Sequence, residues 1–176
     1  MKNKVTIISP FWLIALVFTM LAVAGAAVAQ DTAAKEASDS KSSSISAKDK
    51  TFMKKAAKGG TMEVAMGKIA EQKGQSDDVK SFGKRMVTDH GKANDELKSI
   101  AEKKGVTLPS KEPTIKWSSD KTYIDTMVKD HEKDLAEFQE EAKNGSDPDV
   151  KKFAEDTAKV VQEHLDMAKE TQGKLR

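Results

Sequence analysis

Cysteine is absent from the 176-residue chain. Its absence excludes a disulfide framework, a lipoprotein acyl anchor and a thiol nucleophile, and leaves packing as the source of stability. Aromatic residues are scarce at 5%, against 38% hydrophobic and 33% charged, a balance that suits one modest helical domain with extra segments rather than two domains. Neither sign of charge dominates. Lys2 and Lys4 are the only charged residues in the first 29 positions, so the remainder carries 28 basic against 28 acidic residues. Lysine is interleaved with Glu and Asp as on solvated helix faces, and such a surface lacks the concentrated basic patch that nucleic-acid binding requires. There is no Gly-rich phosphate loop, no His-Glu-x-x-His zinc-protease motif and no serine in a nucleophile context. The alternating strands of a membrane barrel are missing as well. No catalytic residue is assigned, and enzymatic activity stays open.

What is present begins with one long apolar run. Lys2 and Lys4 precede an almost unbroken stretch from Val5 to Val28 that ends in Ala27-Val28-Ala29. A positive start, an apolar centre and a small-x-small end describe a secretory signal peptide over residues 1–29, cleaved after Ala29. The competing reading is an uncleaved anchor, because the run can span about 30 Å of hydrocarbon as a helix. Either reading exports the rest, to the periplasm or beyond, and membrane contact would come only through the anchor. Residues 30–47 are Ser, Ala, Lys and Asp with almost nothing apolar, the composition of a flexible linker. The folded domain is expected over residues 48–176.

Four helices are legible in that domain. Ser46, with Asp49 three residues on, caps a first helix that runs to about Lys73. Phe52, Ala56, Glu63, Met66 and Ala70 share its stripe, and Gly59-Gly60 in its middle costs about 1 kcal/mol each against Ala, which predicts close packing or a kink. Gly74 ends it, and Ser76 with Asp77 and Asp78 starts a second helix to about Lys104, carrying Phe82, Met86, His90, Ala93, Leu97 and Ile100 at spacings of three and four. After Gly105 comes a connection of about fifteen residues with Pro109, Pro113 and Trp117. At ~3.3 Å per extended residue it can run the length of a roughly 40 Å helix and so join two parallel helices. The third helix starts near Asp120 and aligns Tyr123, Met127, His131, Leu135, Phe138 and Ala142. Asn144-Gly145 stops it, and Asp147-Pro148 opens the fourth, which buries Phe153, Thr157, Val161, His164 and Ala168. The expected fold is all-α, a ferritin-like four-helix bundle of two hairpins joined by a long crossover.

The three histidines each follow an acidic residue, as Asp89-His90, Asp130-His131 and Glu163-His164. Two lie in an internal repeat, Met86-Val87-Thr88-Asp89-His90-Gly91-Lys92 against Met127-Val128-Lys129-Asp130-His131-Glu132-Lys133. Counted from each hairpin turn at ~1.5 Å per residue, Glu63, His90, His131 and His164 fall within about two helical turns of one height. Burying a carboxylate and three imidazoles is costly unless they pair, hydrogen-bond or bind a metal. Three nitrogens and one oxygen form a first shell suited to a transition metal such as zinc, copper or iron. The candidate metal ligands are therefore Glu63, His90, His131 and His164. The acids preceding each histidine point about 100° away and can reach a histidine only on an adjacent helix, or else line a solvated face. Met66, Met86, Met127 and Met167 accompany the four; thioether sulfur would favour copper, while Met in a helical stripe is commonly core filler. Valine occupies positions 87, 128 and 161, three before each histidine, so the Glu-x-x-His pairs of di-iron carboxylate bundles are missing.

Phe52 with Ala56-Ala57, Glu63-Val64, Phe82 through Met86-Val87-Thr88-Asp89-His90, Asn94, Leu97, Tyr123, Met127, His131 and His164-Leu165 together resemble the domain of unknown function 4142 family, over about residues 49–175. Gly83 beside Phe82 departs towards a weaker helix former. The resemblance implies an exported bacterial four-helix, ferritin-like domain whose polar centre maps onto Glu63, His90, His131 and His164, and it names neither a metal nor an activity. Two functions stand: metal binding for sequestration or envelope stress protection, and a non-catalytic envelope scaffold with a buried structural histidine cluster. Met-rich faces and a neutral surface admit a homo-oligomer, and no other protein partner is indicated.

Overall fold

Helices begin and end where the punctuating residues stand. The computed structural model describes residues 44–175, so the expected signal segment and nearly all of the expected linker lie outside the described residues. Within them are four helices and no strand: α1 (Ala47–Lys73), α2 (Asp77–Lys104), α3 (Asp120–Asn144) and α4 (Pro148–Lys174). Ser46 Oγ accepts from Asp49 N at 3.0 Å, Ser119 Oγ from Thr122 N at 3.1 Å, and Asp147 Oδ1 from Asp149 N and Val150 N at 3.0 and 3.2 Å. These caps satisfy N–H groups that a helix start leaves unpaired. Gly105 closes α2 in the left-handed conformation, φ 65°, a position that suits glycine.

Ser76 holds the expected place at the start of α2. It sits at the N-cap of α2, yet its side chain makes no capping bond. The first residue of α3 binds the turn before the helix, with Asp120 accepting from Gln75 N at 3.0 Å and Ser76 N at 2.7 Å. At the other end Asp49 of α1 accepts from Ser146 N and Asp147 N, both at 3.0 Å. Each hairpin turn is thus closed by an aspartate from the opposite hairpin, and neither contact is visible in local sequence.

These contacts also orient the helices. The start of α3 meets the start of α2, while Lys104 at the end of α2 reaches Asp147 and Asp149 at the start of α4, at 2.8 and 2.7 Å. Helices α2 and α3 therefore run parallel, and the connection over 105–119 travels the length of the bundle. The expected two hairpins with a long crossover are what the structure contains, with α1 paired chiefly to α2 and α3 to α4.

Two apolar layers occupy the interior. One gathers Phe52, Met53, Leu97, Ile100, Val150 and Phe153; the other gathers Val79, Phe82, Met86, Tyr123, Ile124 and Met127. Burying such side chains contributes about 1.5–3 kcal/mol each. Glycine sets how closely α1 and α2 approach. A Cβ at Gly67 would lie 2.7 Å from the carbonyl of Gly83, and one at Gly83 2.7 Å from the carbonyl of Gly67, so the unfavoured Gly83 is explained by backbone contact. Helix α1 runs unbroken through Gly59-Gly60, and a Cβ at Gly60 would come within 2.2 Å of Asn94 Oδ1. The expected close packing is what the structure contains there.

Candidate functional site

Between the apolar layers each helix contributes one polar side chain: Glu63 from α1, His90 from α2, His131 from α3 and His164 from α4. His131 and His164 have no exposed surface, and Glu63 and His90 retain 5%. The imidazole centroids stand 5.1, 5.5 and 5.7 Å apart, and one ring nitrogen from each histidine lies within 4.8 Å of the others. Glu63 sits beside this triangle, with Oε2 3.1 Å from Nδ1 of His90 and Oε1 3.6 Å from Nδ1 of His131.

The partners assign the proton positions. Nδ1 of His131 lies 2.9 Å from the Met127 carbonyl, which only accepts, so Nδ1 carries the proton and Nε2 a lone pair. Nε2 of His164 lies 3.1 Å from Oδ2 of Asp89 and donates to it, leaving Nδ1 as an acceptor. That nitrogen is 3.2 Å from Nε2 of His90, which must donate. His90 Nδ1 then holds a lone pair facing Glu63, and the bond between them requires a protonated carboxyl. The result is a directed chain, Glu63 to His90 to His164 to Asp89, continued by Arg85, which hydrogen-bonds Asp89 and reaches Glu163 at 3.1 Å.

Electrostatics agree with this assignment. Burial first, then the charges of Asp134 and Asp130, push Glu63 up to about 8. Burial, followed by His164 and His131, holds His90 down to about 3, and burial with His164 holds His131 to about 4. His164 is lowered by burial despite the opposing pull of Asp89. At neutral pH the layer therefore consists of three uncharged imidazoles and a neutral carboxyl.

Two lone-pair atoms in this layer have no partner, Nε2 of His131 and Oε1 of Glu63. A buried polar atom left unpaired costs about 1–3 kcal/mol. With their opposite nitrogens engaged by Glu63, the Met127 carbonyl and Asp89, His90, His131 and His164 can direct Nε2, Nε2 and Nδ1 towards a shared ion. This is the pattern of ligating imidazoles whose second nitrogen is held. Tetrahedral coordination at 2.0–2.1 Å sets neighbouring nitrogens roughly 3.4 Å apart, a modest contraction of the observed triangle. Binding would replace the His90–His164 hydrogen bond: Nε2 of His90 would release its proton, and Nδ1 would take the one held by Glu63.

Of the acids beside the histidines, Asp89 reaches His164 on another helix, Asp130 acts on Glu63 through its charge, and Glu163 pairs with Arg85. Met86 and Met127 are fully buried in the apolar layer around Phe82, with Met66 and Met167 partly buried against it. Sequence reasoning missed Asp134, a half-buried carboxylate pushed up to about 6 by burial first. Its position four residues after Asp130 and three after His131 was the available signal. Asp49 and Glu141, at the bundle end, also went unremarked as a buried pair.

Among the described residues no helix is long and apolar enough to cross a membrane. A crystal structure of a DUF305 fragment from Deinococcus radiodurans is similar in fold, with TM-score 0.63 and 10% identity, covering 74% of this chain and 98% of that one. At that identity the likeness speaks to fold alone. No curated protein matches the chain. The sequence profile of a domain of unknown function, DUF4142, matches residues 32–171, and the chain belongs to that family.

Proposed function

We propose that this is an exported protein that binds one transition-metal ion, zinc, copper or iron, through His90, His131 and His164, for metal sequestration or protection of the envelope. The observation that carries the reading is the buried, unpaired Nε2 of His131, on a ring whose other nitrogen is committed to its own helix. A structural histidine gains nothing from such an atom, whereas a metal ligand needs it. Glu63, once its proton has passed to Nδ1 of His90, supplies negative charge to a site that otherwise offers only neutral donors. Export rests on the charged, then apolar, then small-residue pattern of positions 1–29.

Elemental analysis of protein purified from the periplasm, without a metal-binding tag, tests this. We expect one equivalent of metal, lost in the double variant His90→Ala, His131→Ala. Glu63→Gln should weaken affinity about 10- to 100-fold, as removal of a group orienting a ligand does. Wild-type protein that holds no metal and takes none up from zinc, copper or iron would leave the hydrogen-bonded chain from Glu63 to Asp89 as a structural cluster and favour the scaffold reading.

A further inference from the structure

We propose that a slot between α1 and α3 is the route by which a hydrated divalent transition-metal cation reaches the histidines, with the Asp134 carboxylate near its mouth and Oε1 of Glu63 at its inner end. The proposal rests on the metal-binding reading above.

The seam between α1 and α3 is the loosest between neighbouring helices. A cavity of about 30 Å³ takes in Lys55, Gly59, Gly60 and Glu63 of α1 and Asp134 and Glu137 of α3, and reaches His90 of α2 and Thr157 of α4. That volume holds a water or two, hence an ion shedding its hydration shell stepwise. Glu63, 5% exposed, lines the same cavity, and its Oε1 has no hydrogen-bond partner. It supplies an oxygen donor between solvent and the imidazoles.

The glycines make the opening. Gly60 is accounted for by Asn94, whose amide fills the space of a side chain. Gly59 is not: a Cβ there would meet only Asp134 Oδ2, at an ordinary 3.9 Å. Alanine would fit and would favour the helix by about 1 kcal/mol, so what Gly59 contributes is open space facing the Asp134 carboxylate.

Charge points the same way. Asp134 lines the cavity, and its charge and that of Asp130 both oppose ionisation of Glu63. A low-dielectric cleft of one sign focuses oppositely charged solutes. Lys55 of α1 pairs with Glu137 of α3 at 3.4 Å and stands beside the slot as a cation that an incoming ion can replace. The rival path is a groove between α2 and α4 that also touches His90. It is wider, about 280 Å³, and carries Asp89, Glu96 and Asp156 as well as Arg85 and Lys92, but its Asp89 is engaged by Arg85 and His164 and its Asp156 by Lys152 and Lys159.

Stopped-flow loading of the full exported chain with cobalt(II), followed by the visible band of histidine-bound cobalt, separates route from site. Asp134→Asn and, independently, Gly59→Leu should slow loading by at least ~10-fold, the scale on which focusing acts, with final stoichiometry and spectrum unchanged. Asp156→Asn, on the wall of the rival groove, should load at the wild-type rate. Circular dichroism melting checks that Gly59→Leu folds, and if it does not, Asp134→Asn alone decides. Unchanged rates in the first two variants, slowing by Asp156→Asn instead, or a wild-type rate independent of cobalt concentration, as opening of the whole bundle would give, each overturn the route while leaving the site intact. Wild-type protein that binds no cobalt at equilibrium overturns the metal reading itself, and the route with it.

Discussion

Where α1 begins and α3 meets α4, the Asp49 carboxylate accepts from two turn N–H groups and draws in Glu141; half way along the bundle, Glu63, His90, His131 and His164 meet with lone pairs left over. Both clusters bury ionisable side chains, and they resolve the burial differently. Burial would raise Asp49, yet the N–H groups of Ser146 and Asp147, with Glu141 and Ser46, hold it below the usual carboxylate range. Glu141 takes the other share: burial, then the hydrogen bond and charge of Asp49, push it up to about 7. Asp49 binds backbone that no helix can satisfy, so the end cluster ties one hairpin to the other. The mid-bundle cluster bonds side chain to side chain, with one carbonyl of α3, and closes no turn. Each cluster keeps an unpaired oxygen, Oε1 of Glu141 at the end and Oε1 of Glu63 half way along, but only the middle one adds an unpaired ring nitrogen, Nε2 of His131.

Mutations can break that contrast. Asp49→Ala should have the largest effect, a loss of about 3 kcal/mol in urea denaturation, because it strands two N–H groups at a partly buried turn. A loss below roughly 1 kcal/mol would erase the distinction from the architectural side. Next in size is Glu63→Gln in metal-free protein. Glu63 is raised in the folded state, so the stability of its protonated form is full below about 4.5 and is lost as pH rises through about 8. Glutamine has no proton to lose. The variant should match wild type near pH 4.5 and be on the order of 2 kcal/mol more stable at pH 8, measured by paired denaturation curves. Stability equal at both pH values would mean that the carboxyl titrates normally. The smallest effect is expected for His131→Leu, which removes an unpaired buried atom at similar volume. Metal-free stability should change by less than about 1 kcal/mol although the residue is completely buried, while metal uptake is lost. A loss comparable to that of Asp49→Ala would place the histidines in the architectural class.

Much of this molecule was legible before the structure. Ser46, Gly74, Asn144-Gly145 and Asp147-Pro148 marked the helix ends to within a residue or so, because capping is a matter of neighbouring residues. Periodicity of 3.6 put His90, His131 and His164 in apolar stripes, and those stripes are buried. The same periodicity passed over Met53, Ala57 and Gly67 on α1, all buried, since α1 is flanked on both sides and its buried face is wider than one stripe. Asp89 illustrates the limit: its carboxylate serves His164 rather than the adjoining His90, a choice between two acceptable surroundings that depends on where α4 stands.

The sequence by itself determined that there are four helices, where they stop and that His90, His131 and His164 turn inward, and the length of 105–119 allowed the second and third to run parallel. These follow from capping, periodicity and chain length, which act over a few residues or set simple limits of reach. Only the tertiary structure decided that Asp49 and Asp120 close each other's hairpins, that Gly67 and Gly83 touch backbone to backbone, which ring nitrogens carry protons, and that Gly59 faces Asp134 across open space. Each depends on the rotation and height of one helix against another to within an ångström, and that is set by packing summed over the whole core rather than by any segment of it.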